Sequence, residues 1–391
     1  MENKKYSILI VGLGCYFGHI REFIVNLKKK NPNVNITLLT LFIYDNQRKE
    51  ISDYVSQIVS VKDVQGIVKF RSVFFLKNSI LYYFSFLKLC FKKNFDIVNI
   101  HFAKSYIKFF IPVLNKITKN VVFSPWGSDV MRVEDDKSIK EFRNIYSYAK
   151  YVTVSKDSQI GECIISKFKV NPNKFVKLGW GGEFFDYIKD YNNKVTLDEA
   201  KTRFGLEGRY VITCGYNMMK QQRHEEIINA IYNINDILPH NLTLLFPFTY
   251  DRTHDKVLYK ETIVKKCKSL KLNAIVVEDH LNLSDLYKLR MATDIFIHVQ
   301  TTDAGSRCVM EYVYCNKKVV HGSWIKYKYL ENYKPSCYFP VNRMEDLGTV
   351  IAKAYHSEID ELPQEVKTII EERGWNHKMG LWNSFFESIV S

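Results

Sequence analysis

Short apolar runs rich in β-branched residues alternate with amphipathic helical segments along most of this 391-residue chain. The first run, residues 6–11, leads through glycines into a helical pattern over residues 19–30, in which Ile20, Phe23 and Leu27 share one face. Regular alternation of this kind predicts parallel sheets that are covered by helices on both faces. We therefore expect an α/β protein built from doubly wound units.

The alternation occurs twice, which predicts two domains. In the first half, strands are expected at residues 6–11, 35–41, 96–101, 120–124 and 151–154, and helices at residues 19–30, 73–92, 105–118, 137–149 and 157–168. In the second half, strands are expected at residues 210–214, 242–248, 274–277, 294–299 and 318–321. The glycines in residues 178–183 mark a hinge. We predict an N-terminal domain over residues 1–180, a C-terminal domain over residues 181–365, and a last helix within residues 366–391 that packs back toward the N-terminal domain through its aromatic side chains.

Charge is distributed unevenly between these two domains. Residues 1–180 contain 29 Lys and Arg against 14 Asp and Glu, a net charge of +15, whereas residues 181–391 contain 27 against 28, a net charge of −1. Within the basic half, Phe and Tyr are interspersed with Lys and Arg over residues 70–88, and Lys92 and Lys93 extend this pattern. A core helix whose lysines reach solvent would show the same pattern. We favour a helix that lies on an anionic membrane surface.

Composition narrows the class of protein further. Hydrophobic residues make up 46% and charged residues 25% of the chain, as in soluble globular proteins. No apolar run reaches the roughly 18 residues that a membrane-spanning helix needs. The eight cysteines are scattered without zinc-binding spacing, so we expect neither disulfides nor a metal site. These features predict a cytoplasmic protein that is peripheral on the inner face of the cell membrane.

A polar, glycine-containing segment joins the predicted strand at residues 294–299 to a helix that begins near Ser306. Asp303 precedes this helix, and Arg307 and Glu311 follow one turn apart on the same face. Amides at the start of such a helix bind anions at the carboxyl edge of a parallel sheet, so Ala304–Ser306 are candidates for this role. The same residues could instead form only a helix N-cap and an Arg–Glu pair.

Other predicted strands also end in glycines or polar residues. In the second half these residues are Gly215, Asn217, Lys220, Arg223, Thr249 and Tyr250, and in the first half they are Gly12, Gly14, His19, His101, Trp126, Gly127, Ser128 and Asp129. The first glycine turn lacks the full dinucleotide fingerprint. A histidine at a strand end is often structural, although the same edge would allow His101 to act as a base. In the second half, cations suit a diphosphate and carboxylates suit hydroxyls, as a sugar nucleotide requires.

Five stretches together resemble the two-Rossmann-domain glycosyltransferases called GT-B, and are most similar to family-4 glycosyltransferases and bacterial N-acetylfucosamine transferases. The resemblance rests on residues 96–102, 123–129, 214–222, 246–250 and 303–311, the last with two acidic residues separated by seven. It implies two Rossmann-like doubly wound domains facing across a cleft. The chain departs from the family in having Asp303 where Glu is usual, and Lys220-Gln221-Gln222 where Lys-Gly is usual.

The resemblance also implies site residues and a reaction, namely transfer of a sugar from a nucleotide-diphosphate donor to a polysaccharide, glycolipid or lipid-linked acceptor. The implied catalytic residues are Asp303, Lys220 and His101. The implied donor-binding residues are Gly215, Asn217, Arg223, Thr249, Tyr250, Thr302, Ala304, Gly305, Ser306, Arg307 and Glu311, with Glu311 on the ribose. The implied acceptor-binding residues are Gly12, Gly14, His19, Trp126, Gly127, Ser128 and Asp129. Retention of anomeric configuration and independence of metal and cofactors are expected.

Proteins of other classes could share some of these features. A sugar-nucleotide epimerase would have the same two-domain plan but no use for a basic, aromatic-rich face. A non-catalytic basic protein could bind membranes or nucleic acid, but it would leave the polar strand ends of the neutral half without a purpose. We therefore favour a glycosyltransferase with no nucleic-acid partner.

Overall fold

The computed structural model describes residues 4–12, 17–64, 72–92, 94–249, 256–303 and 305–390. The chain forms two compact units. The first comprises Met1–Glu183 together with Arg373–Ser391, and the second comprises Phe184–Glu372. In each unit the described strands form one six-stranded sheet.

The first unit has its sheet at the centre. The strands are β1 (Ser7–Gly12), β2 (Asn35–Tyr44), β3 (Gln57–Val64), β4 (Ile97–His101), β5 (Val121–Ser124) and β6 (Tyr151–Val152). They pair in parallel in the order β3-β2-β1-β4-β5-β6. The helices are α1 (Phe17–Lys30), α2 (Asp45–Ile51), α3 (Ser72–Lys92), α4 (Ile111–Ile117), α5 (Ser128–Met131), α6 (Asp136–Ser147) and α7 (Gln159–Phe168). Ile8, Ile10 and Val98 are completely buried, as expected for strands that are covered on both faces.

The second unit repeats this topology. Its strands are β7 (Tyr210–Cys214), β8 (Leu242–Pro247), β9 (Ala274–Val277), β10 (Ile295–His298), β11 (Lys318–Gly322) and β12 (Tyr338–Val341), paired in parallel in the order β12-β11-β10-β7-β8-β9. The helices are α8 (Glu183–Lys194), α9 (Leu197–Thr202), α10 (His224–Tyr232), α11 (Lys256–Ser269), α12 (Leu283–Ala292), α13 (Arg307–Tyr314), α14 (Lys328–Tyr333), α15 (Leu347–His356) and α16 (Gln364–Glu371). The predicted doubly wound α/β class is confirmed.

The last helix, α17 (Trp375–Ile389), belongs to the first unit and packs on α1. Trp375 and Trp382 are buried against Phe23, and their indole N–H groups donate to Glu22 Oε2 at 2.8 Å and to the Gly179 carbonyl at 2.9 Å. Since a buried indole needs a hydrogen-bond acceptor, these contacts fix the helix in place. The aromatic residues of the tail are therefore packing anchors, as the sequence predicted.

Some elements differ from the sequence prediction. The edge strands β3 and β12 were not predicted, and β12 contains Pro340, which is tolerated in a strand at the edge of a sheet. The single helix expected over residues 105–118 is a 3-10 turn, Ser105–Phe109, followed by α4. Pro112 lies in the first turn of α4, where its missing N–H is not needed. Among the helices of the described ranges, none is long and apolar enough to cross a bilayer.

Candidate functional site

The strand order of the second unit reverses between β7 and β10. In open parallel sheets, ligands bind outside the carboxyl ends of the strands at such a point. The loop that follows β7 begins at Gly215, and the loop that follows β10 contains Asp303. The Gly215 amide donates to the Ile297 carbonyl at 3.0 Å, which joins the two strand ends. The topology therefore brings together two of the loops that the sequence singled out.

The turn after β7 requires glycine at its first position. Gly215 has φ +66°, and a Cβ atom there would lie 2.8 Å from Gln222 Oε1. Asn217 is buried, and its Oδ1 accepts from the Met219 amide at 2.9 Å, so this side chain shapes the turn. Lys220 is exposed at the end of the turn.

Arg223 ends the same turn in an uncommon conformation. Its backbone has φ +60°, and its guanidinium carbon lies 5.4 Å from the centroid of the Trp324 ring. The Trp324 indole N–H donates to the Gln300 carbonyl at 2.8 Å, in the loop that follows β10. The predicted cation Arg223 is therefore held beside both loops.

Asp303 is fixed by hydrogen bonds within the second unit. Its Oδ2 accepts from the Tyr327 hydroxyl at 2.8 Å and from the Ser306 amide at 3.0 Å, and it lies 3.2 Å from Nε2 of His298. The Ser306 amide also lies 2.6 Å from the Tyr327 hydroxyl oxygen. This amide is thus used inside the loop, which corrects the prediction that it would point outward to a bound anion.

Ser306 and Gly305 otherwise behave as loop-forming residues. The Ser306 side chain is the N-cap of α13 and accepts from the Cys308 amide at 3.2 Å. Gly305 has φ +98°, which makes any side chain at this position strained. Thr249, Thr302 and Arg307 are half-buried. The predicted donor-binding residues Tyr250 and Ala304 lie outside the described residues.

Glu311 lies on α13 and is almost completely buried. Its Oε2 accepts from Nη2 and Nε of Arg290 at 2.7 and 2.9 Å, and Arg290 also donates to the Tyr312 hydroxyl at 3.2 Å. Both members of the ion pair have only 6% of their side-chain surface exposed. The spacing in the sequence suggested Arg307 as the partner of Glu311. The observed partner, Arg290 on α12, was not predicted.

In the first unit the strand order reverses between β1 and β4. Gly12 ends β1, and a Cβ atom there would meet the Ile20 side chain of α1 at 2.1 Å. His101 ends β4 and is completely buried, and within the described part of the chain neither ring nitrogen has a hydrogen-bond partner. Burial lowers the pKa of His101 to about 3, so this side chain is neutral at pH 7. The predicted residue Gly14 lies outside the described ranges.

Aromatic rings enclose His101. Its ring centroid lies 5.0 Å from Phe23, 5.4 Å from Trp180 and 6.1 Å from Trp126. Half-buried His19 joins this group at 5.2 Å from Trp126. The sequence predicted His19, His101 and Trp126 for this edge but missed Trp180, which lay in the segment interpreted as a hinge.

The Trp126–Asp129 loop is organised by its own carboxylate. Asp129 is completely buried, and its Oδ1 accepts from the amides of Trp126 at 3.0 Å and Gly127 at 2.9 Å. Burial raises the pKa of Asp129 to about 6, although these hydrogen bonds oppose the shift. Gly127 has φ +113°, and half-buried Ser128 begins α5. In the structure Asp129 shapes the loop from inside, while Trp126 and Ser128 retain exposed surface.

Several neighbours of the predicted site residues were not predicted. His298, His321 and Tyr327 adjoin Asp303, and Arg290 adjoins Glu311. His298 and His321, near the ends of the predicted strands at residues 294–299 and 318–321, could have been predicted to lie together, because adjacent parallel strands bring their last residues to the same place. Within the described ranges, no group of three His, Cys, Asp or Glu residues could hold a metal ion.

Comparison with known proteins adds a family match and a fold. Residues 16–157 match a family described as glycosyl transferase 4-like. A glycosyltransferase from Rickettsia africae is similar with a TM-score of 0.72, 14% identity and 99% of each chain covered. HepE from Anabaena in complex with UDP and glucose is similar with a TM-score of 0.68, 12% identity, and 98% of this chain and 100% of that chain covered.

A structure assigned as a UDP-N-acetylglucosamine 2-epimerase from Listeria monocytogenes is also similar, with a TM-score of 0.59, 13% identity and 98% of each chain covered. No curated protein sequence matches the chain significantly. At these identities the structural matches establish the fold, which confirms the predicted GT-B class. The family match confirms the predicted resemblance to family-4-like proteins.

Proposed function

We propose that this chain, which has the GT-B fold and a glycosyl transferase 4-like segment at residues 16–157, is a glycosyltransferase that transfers a sugar from a nucleoside-diphosphate donor to a glycan or lipid-linked acceptor. One observation carries the proposal. At the point where the strand order of the second unit reverses, a tight glycine turn, two cations and a fixed carboxylate occur on the loops after β7 and β10. These are the groups that a diphosphate sugar requires.

The cations of the second unit serve the departing diphosphate. Negative charge builds on the leaving group as the bond between sugar and phosphate breaks, so fixed positive charge lowers the barrier. Exposed Lys220 and Arg223, which is held over Trp324, are the candidates after β7, and Arg307 is the candidate after β10. We propose that these side chains take the place of a metal ion and that the reaction retains anomeric configuration.

The two acids have separate roles in this proposal. Asp303 accepts a hydrogen bond from a hydroxyl of the donor sugar, and Glu311 accepts from the ribose. Arg290 holds Glu311 in one orientation through two hydrogen bonds. Thr249, Thr302 and Gly305 complete the donor site, together with the predicted residues Tyr250 and Ala304.

The first unit takes the acceptor. Partly exposed rings of His19 and Trp126 lie at the carboxyl edge of its sheet and offer apolar faces on which a sugar ring can pack. The proposed acceptor site also includes Gly127, Ser128 and the predicted residues Gly12 and Gly14, although the space beside Gly12 is filled by the Ile20 side chain of α1. His101 lies behind these rings as a buried neutral side chain, and because burial lowers its pKa to about 3, the predicted role of His101 as a base is corrected to a packing role. Asp129 holds the loop.

We also propose that the first unit lies on an anionic membrane surface, at the inner face of the cell membrane. Helix α3 buries Tyr82 and Phe86 but exposes Phe84 by 60% and Phe91 by 86%. Exposed Lys88 lies on the same side of this helix, in a unit whose sequence carries most of the positive charge. Apolar residues and cations together bind anionic bilayers.

Thermal unfolding with UDP, TDP, GDP and ADP tests the donor site. One nucleotide should raise the midpoint, since a ligand that binds the native state at 100 times its Kd stabilises by about 2.7 kcal/mol. The corresponding nucleotide sugars, offered with lipid extracts or isolated glycans, should then give a glycosylated product. A protein that is stabilised by none of the four nucleotides would contradict the proposal.

An epimerase is the second candidate, because one of the similar structures is assigned to that activity. Incubation of the nucleotide sugar without acceptor separates the two. An epimerase would convert the sugar of the nucleotide, whereas a transferase should leave its configuration unchanged and require an acceptor for turnover.

A further inference from the structure

Asp303 is held in place by residues from outside its own loop. The Tyr327 hydroxyl donates to Oδ2 of Asp303 at 2.8 Å, although the two residues are 24 positions apart. The same hydroxyl lies 2.6 Å from the Ser306 amide nitrogen, so carboxylate, hydroxyl and amide form a closed triangle. A hydrogen bond to an ionised group fixes both distance and direction.

Tyr327 is itself immobilised. It has only 3% of its surface exposed, and its ring stands almost perpendicular to two imidazoles, at 4.9 Å and 86° from His321 and at 6.4 Å and 87° from His298. Perpendicular contacts of this kind are favourable because the edge of one ring meets the face of the other. The hydroxyl that holds Asp303 therefore cannot swing away without disturbing two buried rings.

The two histidines form a stack. His298 and His321 are register partners at the carboxyl ends of β10 and β11, and their rings are parallel within 3° at a centroid distance of 5.2 Å. Tyr216, from the turn after β7, also stacks with His298, at a centroid distance of 5.8 Å and an interplanar angle of 16°. Burial, with a further contribution from His298, lowers the pKa of His321 well below its ordinary value, so His321 is neutral and stacks without charge repulsion.

We propose that Tyr327 and the stacked pair His298–His321 are positioning residues that hold the Asp303 carboxylate in the orientation needed to accept from a donor-sugar hydroxyl. This inference rests on the proposed donor role of Asp303 and adds the residues through which that role is achieved. The stack connects the loop after β10 to β11 and to the turn after β7. A shift of about 1 Å in a binding group can cost about 100-fold in rate, which is why such support matters.

A double-mutant cycle tests the proposal. Tyr327→Phe keeps the ring and removes only the hydroxyl, and Asp303→Asn keeps the shape of the acid. We expect Tyr327→Phe to lower kcat/KM for the nucleotide sugar about 10-fold, the loss of one hydrogen bond to a charged group. Its affinity for the nucleoside diphosphate alone should stay within about twofold, because that ligand lacks the sugar. In the Asp303→Asn background the same change should alter kcat/KM by less than about twofold.

A second variant and a control keep the test decisive. His321→Leu removes the ring that stacks on His298 but leaves Asp303 unchanged. This variant should lower kcat/KM in the wild-type background and leave kcat/KM unchanged in the Asp303→Asn background. Tyr210→Phe is the matched control. Tyr210 is the first residue of β7, so it lies at the amino ends of the strands, away from the proposed donor site. Its buried hydroxyl has no hydrogen-bond partner among the described residues, so kcat/KM should be unchanged.

The outcomes separate the two claims. Losses that are equally large in the Asp303→Asn background would overturn the positioning role alone. Wild-type kcat/KM in Tyr327→Phe would also overturn it. Wild-type kcat/KM in Asp303→Asn would remove the donor role of Asp303 and this inference with it.

Discussion

The two sheets have the same strand order, yet the side chains that end their central strands have different surroundings. In the first unit, His101 is enclosed by aromatic rings, and its ring nitrogens have no hydrogen-bond partner in the described part of the chain. In the second unit, His298 lies 3.2 Å from Oδ2 of Asp303, and Glu311 is paired with Arg290. Topology delivers residues to the same edge in both units, and side-chain chemistry then decides what each edge can bind.

This difference agrees with a division of labour. An aromatic edge with a neutral imidazole suits the hydroxyls and apolar faces of an acceptor. An edge with fixed acids and nearby cations suits a charged nucleotide sugar. Four measurements test whether the two units differ in this way.

The largest effect is expected from breaking the buried ion pair of the second unit. Arg290→Ala leaves the Glu311 carboxylate buried without its partner, which costs about 3–5 kcal/mol of unfolding free energy. Urea unfolding measures this loss. Arg343→Ala is the matched control, because Arg343 and Asp346 form an exposed pair whose removal should leave the midpoint unchanged. Equal midpoints for both variants would show that the buried pair does not organise this edge.

The next effect concerns the pH dependence of the first unit. The pKa of His101 falls to about 3 in the folded protein, below that of an unfolded histidine at about 6.5. The unfolded chain therefore binds more protons between these values, and stability falls as pH falls through this window. This histidine alone should cost about 2 kcal/mol between pH 7 and pH 5.

His101→Phe should remove that contribution, because a phenyl ring fits among Phe23, Trp126 and Trp180 and does not titrate. Unfolding free energies at pH 7 and pH 5 measure the change. Asp129 has the opposite effect on the free energy of unfolding, because its pKa is raised to about 6 in the folded protein. Asp129→Asn should therefore make the free energy of unfolding fall more steeply between pH 7 and pH 5. A His101→Phe variant with unchanged acid sensitivity would contradict the assignment of His101 as a buried neutral group.

A smaller effect is expected for membrane binding by the first unit. The double variant Phe84→Ser, Phe91→Ser should weaken binding to anionic liposomes about 10-fold without lowering stability, because both rings are exposed. The matched control is Val257→Ser, Leu258→Ser on α11 of the second unit, where two apolar residues are also exposed. Co-sedimentation at low and high salt measures both variants. Equal losses for the two would mean that the basic unit has no special affinity for membranes.

The smallest effect is expected at the glycine turn after β7. Gly215→Ala imposes a side chain at φ +66° and brings its Cβ within 2.8 Å of Gln222, so it should cost about 1 kcal/mol and weaken nucleotide affinity more than acceptor affinity. Calorimetric titration of the variant with the nucleotide found by thermal unfolding tests this. Unchanged nucleotide affinity would place the ligand away from this turn.

The sequence predicted the architecture because both units are periodic and their strands are buried on two faces. The predicted positions of Gly215 and Asp303 after two strands were correct, and these strands are neighbours in the sheet. Their loops therefore lie close together, since parallel strands end on the same side of a sheet. The sequence missed the contacts between residues distant in sequence, such as Arg290 with Glu311 and Tyr327 with Asp303. Periodicity shows which face of an element is buried, whereas such pairs depend on how neighbouring elements pack.

The predicted outward amides show a second limit. The helical pattern of apolar residues from Ser306 onward located the beginning of α13 correctly, and Ser306 is the N-cap of that helix. Whether the Ser306 amide can bind the anion of a ligand depends on the acceptors around it. Here the amide already donates to the Asp303 carboxylate. Local sequence thus locates a turn, while the tertiary surroundings decide what its polar groups contact.

In our proposal the second unit binds an activated sugar at the carboxyl ends of β7 and β10. A crystal structure with the nucleoside diphosphate that stabilises the protein most would locate that site. We expect the diphosphate to lie beside Lys220 and Arg223 and the ribose to lie near Glu311. The phosphate farther from the ribose should be directed toward Asp303. Nucleotide density bound only to the first unit would contradict the account.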